Sequence, residues 1–101
     1  MMSETHGQYT IELRLRPKDA PTCFDNVAFN SWFCGWTDES KAPMFTYEER
    51  CAKVYLTMLD ARDTREVIKR FLRLKLYERS LLDVVLVIHQ REEIAETLSV
   101  V

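Results

Sequence analysis

The stretch Asp63-Thr-Arg-Glu-Val-Ile-Lys-Arg-Phe-Leu-Arg-Leu-Lys-Leu-Tyr-Glu-Arg79 decides how the rest of the chain is read. Asp63 stands where a carboxylate can accept from backbone N–H groups as an N-cap, and Glu66 follows at capping-box spacing. Val67, Ile68, Phe71, Leu72 and Leu74 recur at helical spacing, with Tyr77 closing the stripe. Arg65, Lys69, Arg70, Arg73, Lys75 and Arg79 fill much of the remainder. The pattern predicts an amphipathic helix over about 64–79, with Val67, Ile68, Phe71 and Leu72 turned inward and a basic face turned outward.

On the N-terminal side of this helix, Thr46-Tyr-Glu-Glu49 repeats the capping-box spacing. Cys51, Val54, Tyr55, Met58 and Leu59 follow it at helical intervals, which predicts a second helix over about 47–61. On the C-terminal side, Ser80-Leu-Leu-Asp83 is a weaker capping signature. Gln90 to Leu98 is rich in helix formers, and no glycine or proline interrupts the segment. One helix over about 81–98 is the first reading. The rival gives Asp83-Val-Val-Leu-Val-Ile88 its β-branched weight, making 83–89 a buried strand followed by a helix over 91–98.

Further toward the start, Tyr9-Thr-Ile-Glu-Leu-Arg-Leu-Arg16 alternates strictly. Tyr9, Ile11, Leu13 and Leu15 share one face of a half-buried strand, and Thr10, Glu12, Arg14 and Arg16 share the other. Pro17 ends it, because proline has no N–H for a ladder. Lys18-Asp-Ala-Pro21 reads as a turn. Thr22 to Trp36 fits a strand or a helix. A strand returning against residues 9–16 is preferred, since one strand does not stand alone. The fold expected is therefore α+β: an antiparallel hairpin (about 8–16 and 27–34) packed on three helices (about 47–61, 64–79 and 81–98). The rival is an α/β sandwich with 83–89 as a strand. The 101 residues form one domain, with 1–7 a loose terminus.

Composition narrows function. Formal net charge is −2, yet residues 64–79 carry six basic and two acidic side chains, so charge is segregated rather than absent. A basic helix and an acidic C-terminal segment can attract each other within a chain or between copies. The longest apolar run, Val84 to Ile88, is far too short to span a membrane, and the polar start carries no signal peptide. Cys23, Cys34 and Cys51 are an odd number at wide spacings, which suits reduced thiols in a cytoplasmic protein.

Glycine-rich phosphate loops and clustered Cys/His ligands are both missing from the sequence, so no cofactor and no metal is expected. Cys34 in Trp32-Phe-Cys-Gly-Trp36 is a candidate nucleophile, with His89 as base and Asp83 or Glu92 as orienter. Packing of a small apolar thiol among aromatics is the plainer account, and the chain is read as no enzyme. The basic stripe Arg62, Arg65, Lys69 and Arg73 could meet an acidic partner or, as the alternative, nucleic-acid phosphates. A solvated face explains it equally simply. Trp32 and Trp36 combine a large apolar ring with a donor, which marks them for a partner surface or for the core. The expected function is a non-catalytic protein–protein interaction module, a small regulator or inhibitor of the viral or mobile-element accessory kind. Homo-oligomers could form through the basic helix and the acidic segment, or through the free edge of strand 9–16.

Overall fold

The computed structural model describes residues 8–17, 29–75, 82–91 and 93–100. The expectations placed on 1–7, on the 18–21 turn, on Cys23 and on Glu92 lie outside them. Among these described residues, five antiparallel strands form one sheet, and one long helix covers one of its faces.

Strand β1 (Tyr9–Pro17) is the centre of that sheet. On one side it pairs with β2 (Phe29–Trp36), setting Glu12 opposite Trp32 and Leu13 opposite Ser31. On the other side it pairs over its whole length with β4 (Leu82–Gln90), Ile11 opposite Ile88 and Leu13 opposite Leu86. Strand β3 (Pro43–Thr46) adds outside β2, and β5 (Glu93–Ser99) adds outside β4. The sheet order is β3-β2-β1-β4-β5. Residues 9–16 therefore offer no free edge; the edges belong to β3 and β5.

Helix α1 (Met58–Lys75) crosses the face carrying the odd-numbered residues of β1. Thr57 caps it: its carbonyl accepts from Ala61 N–H, and its Oγ1 accepts from Asp60 N–H at 3.1 Å. Ala61 and Ile68, seven residues apart, are fully buried against Ile11, Leu86, Ile88 and Phe33. Met58 and Leu72 pack at the margin of the same core. Val67, expected to turn inward with Ile68, is half exposed instead.

The three-helix architecture is thus replaced by a sheet-dominated fold with one helix, and each change has a local cause. The helix expected over 47–61 does not form before Met58, because Thr46 ends β3 and its Oγ1 accepts from Glu48 N–H, only two residues on. That is a Ser/Thr turn, not a capping box. Only a short 3-10 turn, Glu49–Cys51, follows. The helices expected over 47–61 and 64–79 give way to α1, which begins before Asp63 and holds it within its second turn. The helix expected over 81–98 is a β4–β5 hairpin. Its turn needs no glycine because Arg91 itself takes a positive φ of 61°. The rival strand over 83–89 coincides with β4, but the helix over 91–98 that accompanied it is β5.

One further feature shapes the site. Past Glu12 the two strands β1 and β2 separate, and residues 53–55 enter the gap. Lys53 N–H donates to Phe33 carbonyl at 2.8 Å, while Tyr55 and Tyr9 exchange backbone bonds at 2.8 and 2.9 Å. These bonds satisfy the Phe33 carbonyl and both backbone groups of Tyr9 where the strands splay. No helix among the described residues is long and apolar enough to cross a membrane, which says nothing of spanning by strands.

Candidate functional site

The face of the sheet away from α1 carries the polar residues of β1, and alternation alone would leave them in water. Glu12 is instead 4% exposed. Its Oε1 accepts from His89 Nε2 at 2.7 Å and from Arg14 Nε at 2.9 Å, and its Oε2 accepts from Asn30 Nδ2 at 3.0 Å. The register explains the meeting: Asn30 stands opposite Arg14 and His89 opposite Thr10, each one pleat from Glu12 on the same face. Trp32, directly opposite Glu12, lays its ring 4.9 Å from the His89 ring at an interplanar angle of 49°. Burial pushes the Glu12 carboxyl up, but the bonds from His89, Asn30 and Arg14 outweigh it and hold the group below the usual glutamate range. An ionised acceptor at Oε1 fixes the proton on His89 Nε2.

This cluster is chemically committed. Glu12 spends both oxygens on protein donors, and His89 Nε2 is taken. Cys34 does not join them: its Sγ donates to Met44 carbonyl at 3.4 Å, toward β3 and away from β1. At this level residues 53–55 and β1 both lie between β2 and β4, so Cys34 and His89 are three strand spacings apart, about 14 Å. Among the described residues, no group of three His, Cys, Asp or Glu side chains could hold a metal ion.

Beside the cluster an open groove follows the end of the sheet. It is lined by Gln8 and Thr10, by Glu48, Glu49, Arg50, Ala52 and Val54, and by Gln90, Arg91 and Glu93 at the β4–β5 turn. Arg50 Nε is bound to Glu48 at 2.9 Å. The segment that fills the gap between β1 and β2 continues past the groove as an apolar shoulder. Val54, Leu56 and Leu59 are 50%, 63% and 66% exposed.

The residues singled out from sequence are placed as follows. Arg62 and Arg65 both reach from α1 to Glu96 on β5, Arg62 Nε at 3.0 Å from Oε2 and Arg65 Nη1 at 3.0 Å from Oε1. The hydrogen bond from Arg62 comes first in holding the Glu96 carboxyl below its usual range; burial opposes it, and the charges of Arg62 and Arg65 and the bond from Arg65 add to it. Attraction between the basic helix and the acidic segment is thus realised within the chain. Lys69 and Arg73 continue the stripe, and among the described residues neither has a carboxylate partner; Arg73 is exposed. Trp32 is buried against His89, and Trp36 packs edge-on against Phe33 at 5.0 Å, half-buried. Of this cluster the sequence marked His89 and Trp32, each for another role, while Glu12 and its pairing with His89 were not singled out. Seventy-seven residues separate Glu12 from His89, and no local pattern links them.

No family model, no curated protein and no solved structure matches this chain. The reading as a regulator or inhibitor therefore gains no support from relatives.

Proposed function

We propose that this chain is a non-catalytic protein-binding module whose contact surface is the apolar shoulder Val54, Leu56 and Leu59 with the groove beside it. The shoulder is the observation that carries the reading. Single exposed leucines are ordinary, but three large exposed apolar side chains within six residues, the first of them lining the groove, are what a partner surface would use. The groove supplies a rim of carboxylates, guanidiniums and amides around that centre, the arrangement of an interface core and rim. The commitment of Glu12 and His89 to each other favours a structural role for that pair over catalysis.

The test is capture from the native cell extract with the wild-type chain and with a Leu56→Ser/Leu59→Ser variant. Both substitutions lie on largely exposed positions, so thermal unfolding should stay close to that of the wild type. A stoichiometric partner held by the wild type and lost from the variant supports the reading. Identical captured sets, with both proteins folded, refute it.

A further inference from the structure

We propose that β5 pairs antiparallel with β5 of a second copy, about a two-fold axis at Thr97, so that two sheets become one. Strand β5 is an outer edge, seven residues long and free of proline. The opposite edge, β3, has four residues and lies across a register shift at Phe33/Gly35. A long edge without proline is the one open to another strand.

The hydrogen-bond phase gives the axis. Val100 N–H donates inward to Val84 carbonyl. Antiparallel alternation then turns the amides of Leu98 and Glu96 toward β4, and those of Thr97 away from it. Thr97 can therefore exchange both backbone bonds with Thr97 of the other copy. In that register Glu96 faces Leu98, not the other Glu96, so like charges are not opposed.

Charge selects a second copy as the occupant. Helix α1 starts beside the Tyr9–Gln90 end of the sheet and returns the chain to the start of β4, so it runs in the same direction as β5. Arg62 and Arg65 meet Glu96 near the middle of β5. Lys69 and Arg73 follow one and two turns later, toward the Ser99 end. The other end of β5 carries Glu93, which shares a face with Gln90 and thus with Tyr9, the helix side. A two-fold at Thr97 carries Glu93 of each copy past the Ser99 end of the other, to the stretch flanked by Lys69 and Arg73. The contact is isologous and complementary to itself.

Sedimentation velocity over a wide concentration range tests this on the full chain. The wild type should dimerise. Thr97→Pro removes the outward N–H, hence two symmetric bonds, and should weaken the dimer about tenfold or more while leaving the β4–β5 ladder intact. Lys69→Glu/Arg73→Glu should also weaken it, and adding Glu93→Lys should restore it. This charge set keeps the test decisive if proline disturbs folding. A wild type that stays monomeric, a Thr97→Pro variant that dimerises like the wild type, or a charge swap without recovery overturns the proposal. So does a monomer that takes up an acidic extended peptide in place of its own copy.

Discussion

Replacing Glu12 by Gln keeps the shape of the side chain and removes its charge, and the geometry lets the cost be worked out. Glutamine offers one acceptor oxygen where the carboxylate offers two. If that oxygen stays with His89 and Arg14, the new amide N–H₂ meets Asn30 Nδ2, donor against donor. One bond to a buried group is lost, at about 1–3 kcal/mol, and two bonds lose their charge assistance. Asn30 is exposed and can turn to water, which trims the total to about 2–3 kcal/mol. For a domain of this size that lowers Tm by roughly 8–24 °C. Urea unfolding at neutral pH should show a lower midpoint at unchanged slope. The pH dependence has a definite sign. The folded carboxyl titrates below its unfolded value of about 4.3, so its stabilisation is full above that pH and is lost as pH falls through the folded value. The gap between wild type and variant must close from the acid side. A loss under about 0.5 kcal/mol at pH 7, or a gap that widens on acidification, would refute the account of Glu12 as the anchor of that face.

Three further outcomes follow from the packing. Ile68→Ala should cost about 2–5 kcal/mol in chemical denaturation, whereas Val67→Ala, half exposed one residue earlier, should stay within about 0.5 kcal/mol. Gly35 has φ +146°, and a Cβ there would meet Met44 Cε at an ordinary 3.7 Å, so Gly35→Ala should lose about 1–3 kcal/mol through backbone strain alone. Glu96→Gln should lower Tm at low salt and somewhat less at high salt, because salt screens the half-exposed Arg62 but not the largely buried Arg65.

The sequence was informative where the force is local. Strict alternation located β1, and β-branched weight at Val84 to Ile88 is what a strand buried on both sides requires. It misled where tertiary pairing overrides propensity. Glu93 to Ser99 holds helix formers, but β4 has an edge to fill and β5 fills it, with Arg91 making a turn that composition did not advertise. The helix starts marked at Thr46, Asp63 and Ser80 do not begin α1; Thr57, not marked at all, caps it. The stripe of cations was legible; its partial consumption by Glu96, thirty-four residues from Arg62, was not. Glu12 could not have been found from its neighbours, since a glutamate between Ile11 and Leu13 looks like any solvent-facing residue of an amphipathic strand.

The central place of β1 sets the order of events when the protein is made. Its first neighbour, β2, follows within about twenty residues, but its second, β4, leaves the ribosome some seventy residues later, roughly 4–14 s at ordinary synthesis rates. Throughout that interval Ile11 and Leu13 stand on a strand with one flank unzipped. Completion requires closing the longest loop in the molecule, so folding should be slow for its size and limited by that closure. A nascent chain arrested before Leu82 would present the future middle of its sheet as a sticky margin, the state most in need of a chaperone.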